Sequence, residues 1–540
     1  MFGLNRLSIQ SKMILLLLTV SLLSIAVVSW TGYRSAKSAL TRQIENQLTG
    51  IRVAKTTTLK TMLEGLRDQV IAMSDSRAAI EGIKAFRQAY GELATATVSE
   101  DEGVALSNFY AGEFLPALQK NLDSKPAIEQ YLPTGDVERY LQHHYIAASP
   151  HPYLQKQLLE QSPTDKTRYG QVHAEYHRLF DRAVRIFGFE DIMLVDIDTL
   201  NVVYSYQKTA EFATNLESGP YSNTLMAAKA KAMRAFKDRD DFKIADFEPY
   251  RPSLGRPMGF AISPIFDGPQ CIGLLILQFP IDNFNKILTG DKHWEEEGMG
   301  ETGEVHLVGP DKTMRSRSRF MIQNPETFLK TLTANGVSDR VINTIVARGN
   351  VICSLPVESE AATEALRGKS GLMETTDYRQ QKVLCAYGPL ELDSLRWAVL
   401  AKIDKSEADQ PIAKLGRDVL AFATGIALGV TLLALFCSSM LTRPLRILAE
   451  GARRRVRGPD RVPHRRRHRC SAQVVEACDV GGLRDGTRGV VEVQRDKATA
   501  DQNGTAEKSK SLSLDLVETE TRFKDWNARI LSDLDQLYEY

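Results

Sequence analysis

The chain has 540 residues, is 43% hydrophobic and 25% charged, and carries a net charge of +1 at neutral pH. So even a balance gives no global attraction to nucleic acid, and six cysteines are too few for a disulfide-built scaffold. The averages conceal two uncharged apolar runs, Met13–Trp30 and Val419–Leu441, between which the composition is that of a soluble domain.

At about 1.5 Å per helical residue the first run spans roughly 27 Å and the second roughly 35 Å, enough to cross a hydrocarbon core. The first is followed by GYRSAKSALTRQIENQL, which is helical in pattern and has no small-x-small cleavage site, so 13–30 is expected to remain as an anchor. Arg6 and Lys12 precede this span, and Arg443, Arg446, Arg453, Arg454 and Arg455 follow the second, which places both termini, including the tail 1–12, in the cytoplasm. Arg34, Lys37 and Arg42 oppose this orientation. They head a large segment, 31–418, of the kind that translocates with little regard to charge.

From Gly32 to about Arg87, apolar residues recur every three or four positions (Leu48, Ile51, Leu59, Met62, Leu63, Leu66, Val70), predicting one long helix. Its stripe is expected to pair with a second copy in a homodimer. Further helical patterns cover Val104–Leu122, Val137–Tyr145 and Tyr169–Phe187, separated or broken by Pro116, Pro126, Pro133, Pro150, Pro152 and Pro163, so 31–187 is a helical stalk and distal helical region. After Gly188 the texture becomes strands: EDIMLVDIDTLNVVYSY predicts strand, turn and strand, and FKIADFEPY, RPMGFAISPIF and QCIGLLILQFPI predict three more, giving a five-stranded module over 188–290. Over 291–405 the pattern returns. EVHLVGPDKTMRS predicts strand, turn, strand, and GLMETTDY, KVLCAYGPL and RWAVLAKI follow, a duplication of architecture without a duplication of letters. Cys353 and Cys385 both lie in strand-like runs. They would pair only as neighbours and are otherwise small buried hydrophobes.

Several catalytic patterns fail on context. Gly298, Gly300 and Gly303 spell G-x-G-x-x-G, but they precede a strand, where a dinucleotide loop must follow one and open a helix. Gly368-Lys369-Ser370 resembles the end of a phosphate loop, yet Thr363 stands where the first glycine is required. His173 and His177 lie one helical turn apart with no third ligand in view, and are expected to be surface histidines. No catalytic residue, metal site or cofactor is expected, and the chain is not expected to be an enzyme.

Three stretches carry a resemblance: LSIQSKMILLLLTVSLLSIAVVSWTGYRSAKSAL, FEDIMLVDIDTLNVVYSYQKTAEFATNLESGPYSN and GMGETGEVHLVGPDKTMRSRSRF. Together they resemble the double-Cache transmembrane sensors of bacteria, above all receptors with an adenylate or guanylate cyclase output; chemotaxis transducers and histidine kinases share the architecture. The likeness covers residues 1 to about 452. It implies an α+β membrane protein: a long N-terminal helix and tandem PAS-like antiparallel sheets between two transmembrane helices of the inner membrane, with a small extracytoplasmic ligand in the distal module. Within that module Tyr204, Lys208, Asp246, Tyr250 and Arg256 are the expected ligand-binding residues, Asp246 for an amine and Arg256 or Lys208 for a carboxylate. The aromatic-rich amino-acid motif of such sensors is not recognisable, so the ligand class stays open.

LTRPLRILAEGARR resembles the first helix of a HAMP linker, giving a partial HAMP over 442–455. Beyond it the pattern stops: Arg453 to Arg469 carries nine Arg in seventeen residues with two prolines, and no bundle helix can be written through it. Contact with anionic lipid, contact with nucleic acid, and a change of reading frame compete for this irregular segment, 456–506; with neutral overall charge and no interleaved aromatics, nucleic acid is not expected as a partner. In 507–540, Leu516, Phe523, Ile530 and Leu537 fall seven apart, predicting an amphipathic or coiled-coil helix. No cyclase domain follows. The expectation is a receptor whose output is lost or supplied in trans by a cytoplasmic protein; the alternative is an anchored binding or scaffold protein. Resequencing the DNA over codons 450 to 510 separates them: a frame restoring HAMP heptads and a cyclase domain supports the receptor, and an intact frame supports the scaffold.

Overall fold

A computed structural model describes residues 9–122, 126–236 and 238–456. Helix α1 (Ile9–Ser74) runs unbroken for 66 residues and ends where Ser76, accepting from the Ala79 amide, caps α2 (Arg77–Glu92). The single helix expected to Arg87 is therefore two, turned at Asp75–Ser76. Leu59, Leu63, Leu66, Val70 and Met73, spaced four, three, four and three, share one face of α1 and are all buried. They pack inside their own chain, against strands of both sheets, so this part of the stripe offers nothing to a second copy.

The distal helices are α3 (Glu100–Phe109), which widens through a π turn at Tyr110–Phe114 into α4 (Leu115–Gln119), then α5 (Asp136–Gln142) with a π turn at His143–Ala147, and α6 (Arg168–Phe187). Pro116, in the first turn of α4, follows the π turn and does not break the run.

Five antiparallel strands follow: β1 (Asp191–Asp196), β2 (Val202–Ser205), β3 (Lys243–Tyr250), β4 (Arg256–Asp267) and β5 (Gln270–Pro280), in the order β2-β1-β5-β4-β3. Between β2 and β3 lies α7 (Leu225–Met233). It covers one face of the sheet, burying Met193, Ala245, Phe260, Ile262 and Ile276. On the other face Ile192, Leu194, Leu275 and Leu277 join the core of α1, α2 and α6. Covered on both faces, these strands read as continuous apolar runs rather than as alternation.

The proximal module contains α8 (Asp282–Thr289), β6 (Glu304–Val308), α9 (Arg319–Gln323), α10 (Pro325–Ala334), α11 (Asp339–Arg348), α12 (Glu360–Leu366), β7 (Gly371–Thr376), β8 (Lys382–Leu392) and β9 (Leu395–Asp404), with sheet order β6-β9-β8-β7. This matches β1-β5-β4-β3, so the duplication holds for four strands. The expected strand after β6 is reduced to single bridges, Val308 to Met314 and Thr313 to Pro356, because the segment turns to bury Arg315 instead. Cys353 lies in a turn at φ 55°, its Sγ 3.3 Å from the Phe247 carbonyl, while Cys385 is buried on β8. Both are free thiols and the conditional pairing does not occur.

From β9 the chain passes directly into α13 (Lys405–Val456), which contains 419–441 and runs through Pro444. Among the described residues two helices, α1 and α13, are thus long and apolar enough to cross a membrane, and their apolar stretches are bare, with Leu16 66%, Trp30 66% and Phe422 74% exposed. The chain divides into compact units after Thr442, and of the second unit only the helix end to Val456 is described. The rest of the Arg-rich 456–506 segment and the 507–540 helix lie outside the described residues.

A Cβ on Gly273 of β5 would lie 2.6 Å from Ile83 Cγ1 and 3.0 Å from the Val195 carbonyl, so this glycine lets α2 sit against the sheet. Gly273→Val is expected to cost about 1–3 kcal/mol of overpacking, read as a lower melting temperature; an unchanged melt would show that α2 does not dock as described.

Candidate ligand site

On the α7 face of the distal sheet, at the start of β1 and the end of β5, polar side chains replace the apolar core. Asp191 and Gln278 stand opposite each other in register, and Phe260, whose ring meets Tyr250 at 4.7 Å, is the next partner of Gln278. The connection from β2 to α7 adds Glu211 and Tyr221, and the distal helical region adds Tyr110 and Tyr153. The hydroxyls of Tyr110, Tyr153, Tyr221 and Tyr250 all lie within reach of the Glu211 charge.

Several hydrogen bonds fix the walls. Gln142 Nε2 donates to the carbonyls of Ala210 (2.9 Å) and Phe212 (2.8 Å), while its Oε1 accepts from Tyr110 (2.7 Å). Tyr153 accepts from the Ala210 amide at 2.9 Å and donates to the Pro252 carbonyl at 2.6 Å. Asp191 accepts from Ser205 Oγ (2.8 Å) and the Gln207 amide (2.9 Å). Inside this frame Glu211 Oε2, Tyr221 OH, Tyr250 OH and Gln278 Oε1 are buried with no hydrogen-bond partner in the protein. Leaving such groups unsatisfied costs about 1–3 kcal/mol each, more for a charge, so a cluster of four asks for an occupant. Burial first, and then the Asp191 charge, raises the Glu211 carboxyl above the ordinary carboxylate range; burial likewise raises Asp191 against its hydrogen bonds.

The corresponding place in the proximal module is filled from within. Glu304 opens β6 as Asp191 opens β1, and its register partner on β9 is Lys402, where β5 has Gln278. Lys402 Nζ pairs with Asp377, lies 3.3 Å from Glu304 Oε2 and sits 3.9 Å from the Tyr378 ring centroid. Burial, the largest single effect there, is outweighed by Lys402 together with His306, Tyr378 and Arg379 at Glu304, which is held below its ordinary value, and by Lys402 and Arg379 at Asp377, which is held down to about 2. An ammonium among two acids and a tyrosine ring answers the acids of one module; the distal module has an amide at the matching strand position, and its own lysine, Lys208, acts on Asp191 from the loop after β2.

The expected ligand residues disperse. Only Tyr250 faces the site. Tyr204 is on the opposite sheet face, against Phe86 at 4.8 Å, with its hydroxyl 2.8 Å from His177 Nδ1. Lys208 is fully buried beside the site, its Nζ 3.2 Å from the Tyr206 carbonyl and within reach of the Asp191 charge; burial pushes its pKa down to about 7 against that charge. Asp246 belongs to the module junction, bonded by Arg315 Nε (3.1 Å) and Trp397 Nε1 (2.8 Å). Arg256 is exposed and paired with Glu190 at 2.7 Å. It borders a cavity of about 270 Å³ with Arg317 and Arg348. His173 and His177 are core residues rather than surface ones, stacked at 4.7 Å, and burial holds His177 down to about 3. Asp191, Glu211, Tyr221 and Gln278 were missed; the acid inside the apolar phrase TAEFAT was the one available signal.

The glycine pattern before β6 has a mechanical role. Gln47 of α1 donates to the Gly298 carbonyl, and Glu407 of α13 accepts from the amides of Glu301 (2.7 Å) and Thr302 (2.8 Å). Gly300 has φ 56°, and a Cβ there would strike Glu407. One loop therefore joins the two apolar helices to the proximal sheet.

No family model matches the sequence, and no curated protein matches it. Among solved structures it is similar to the ligand-binding domain of the Pseudomonas aeruginosa amino-acid chemoreceptor PctB in complex with L-arginine (15% identity, 43% of this chain and 80% of that one, TM-score 0.26). It is also similar to that of the P. aeruginosa amino-acid chemoreceptor PctC in complex with GABA (14%, 46% and 87%, TM-score 0.27). A third is the Pseudomonas fluorescens chemoreceptor CtaA domain in complex with L-isoleucine (13%, 41% and 72%, TM-score 0.23). Likeness at these scores carries no argument about this chain.

At the junction, removing Asp246 leaves the largely buried Arg315 with Asp311 as its remaining acid, and removing Arg315 leaves the largely buried Asp246 with the Trp397 indole but no cation. Asp246→Ala and Arg315→Ala are each expected to cost about 3–5 kcal/mol and the double variant less than their sum. Thermal melts of the three proteins check this, and strictly additive losses would contradict it.

Proposed function

We propose that the chain is a two-span receptor of the bacterial inner membrane whose distal module takes up a small extracytoplasmic molecule carrying a primary ammonium group. The observation that carries this reading is the contrast between the modules: acids paired with the Lys402 ammonium in one, and in the other Asp191 opposite the Gln278 amide with the buried Glu211 within reach of its charge, where Lys208 acts on Asp191 alone. A ligand ammonium would accept the role that Lys402 fills in the proximal sheet, with the tyrosine rings around it adding cation–π attraction. Tyr221, Tyr250 and Gln278 Oε1 supply the donors and acceptor that orient the rest of the molecule.

Relay follows from continuity. Ligand contact with the β2–α7 connection would bias the distal sheet, the Asp246–Arg315 junction would pass that bias to the proximal sheet, and β9 leads without a break into α13. The change is limited by the ligand's differential affinity for the two states. A HAMP-type linker after Leu441, a cyclase-type ancestry, a homodimer and an output protein in trans complete the proposal, as do cytoplasmic termini and an extracytoplasmic 31–418.

Calorimetry of the full chain in nanodiscs against a panel of primary amines (L-amino acids, ω-amino acids and polyamines) is expected to find a binder. Glu211→Gln should weaken it by about 10²-fold or more, the loss of a buried charge-assisted pair of about 3 kcal/mol. Gln278→Lys should supply the ammonium internally, raising the melting temperature and abolishing amine binding. An amine that binds the Gln278→Lys protein as well as the wild type, or binding indifferent to Glu211→Gln, would refute the reading.

A further inference from the structure

A second cluster of ligating atoms lies outside this site, where α3 meets the π turn after α5. Glu102, in the first turn of α3, accepts from the Ser99 amide (2.8 Å) and Ser99 Oγ (3.0 Å) with Oε2, closing a capping box. Its other oxygen is left facing two imidazoles. His143 Nε2 is 3.8 Å from Oε1 and His144 Nε2 is 3.7 Å from it, too far for hydrogen bonds. One ligand atom from each of the three residues falls within 4.8 Å of the others.

Those separations are close to what a shared ion requires. Zinc bonds of about 2.0–2.1 Å in a tetrahedral site set neighbouring ligand atoms roughly 3.4 Å apart. Successive residues on an α-helix diverge by about 100°, and the wider π turn beginning at His143 brings these two adjacent rings nearer to one face. The support around them is also of the kind a metal site needs. His144 Nδ1 is 2.7 Å from Thr164 Oγ1, which is 3.1 Å from Ser162 Oγ, and Ser162 donates to the His144 carbonyl at 3.0 Å. With Nδ1 engaged by Thr164, Nε2 turns toward Glu102. Tyr140 packs against the His144 ring at 4.2 Å. Solvent reaches the cluster through Glu102 and His143, whose side chains are 28% and 12% exposed.

We propose that Glu102, His143 and His144 form a zinc site, with two imidazole nitrogens and one carboxylate oxygen as ligands and a fourth position open to water. Two borderline nitrogens and one oxygen suit zinc or its cobalt surrogate and disfavour calcium and magnesium, which prefer all-oxygen shells. The ion would staple α3 to α5. Tyr110 directly follows α3 and Gln142 ends α5, so zinc would stiffen one wall of the ligand site from outside it, without touching Glu211.

Tag-free full chain, stripped with chelator and titrated with Co(II) alone, is expected to develop the visible absorption of a tetrahedral nitrogen–oxygen site at one equivalent per chain, bleached by Zn(II). Glu102→Gln is the sharpest variant, because glutamine at this position retains the capping box while removing the anionic ligand. It should weaken Co(II) binding at least tenfold with an unchanged metal-free melt, and His143→Gln should do the same. Zinc should raise the melting temperature of the wild type and of Glu211→Gln alike, which separates this site from the amine site. Absence of the cobalt spectrum in the wild type, or equal binding by Glu102→Gln and His143→Gln, would overturn the proposal.

Discussion

Both sheets rest on one face of one helix. Leu59, Leu63, Leu66, Val70 and Met73 of α1 are buried against strands of the distal and the proximal module, and the same helix continues back into the bare apolar stretch that ends at Trp30. A straight helix has a fixed rise, so about 18 residues between Trp30 and the buried Leu48 hold the first packed turn roughly 27 Å from the end of the apolar run. Neither module can slide along α1 without exposing that stripe. The remaining freedom is rotation or tilt of the sheets about it, and this motion reaches α13 through β9 and through Glu407 in the glycine loop.

The electrostatic difference between the modules turns that frame into a detector. Two sheets of matching strand order place an acid at the same strand start, and only one of them places a lysine opposite. In the proximal module Lys402, Asp377, Glu304 and Arg379 neutralise one another, and the acids titrate low. In the distal module burial dominates and the acids titrate high. A module whose acids are already paired with a lysine has no use for a second cation, whereas one holding Glu211 among four tyrosines gains whatever the cation brings.

Sequence pattern revealed the frame more readily than the site. Continuous runs such as IMLV and CIGLLILQF had to be strands buried on both faces, and the 3.6-residue stripe of α1 was unmistakable. The strand expected after β6 failed because Met314 and Arg315 turn inward, an event set by tertiary contacts such as that of Arg315 with Asp246. The π turns at Tyr110 and His143 leave no mark in periodicity, since they shift the phase by one residue. Site residues were harder still. Tyr204 and Tyr250 are both buried tyrosines on strands, and only the sheet's pairing order decides which face each one meets. Glu211 and Asp191 look like ordinary loop and strand-end acids until their burial is known.

Burial raises the titration of Glu211 and Asp191, so an ammonium that answers them favours their carboxylates, and protons are expected to leave the protein on binding. Calorimetry of an amine binder at pH 7 in buffers of different ionisation enthalpy measures this directly. A net release of about half to one proton per ligand, growing as the pH is lowered toward 6 and vanishing in Glu211→Gln, is the predicted result. Binding heats that are independent of the buffer, or proton uptake, would contradict the central claim.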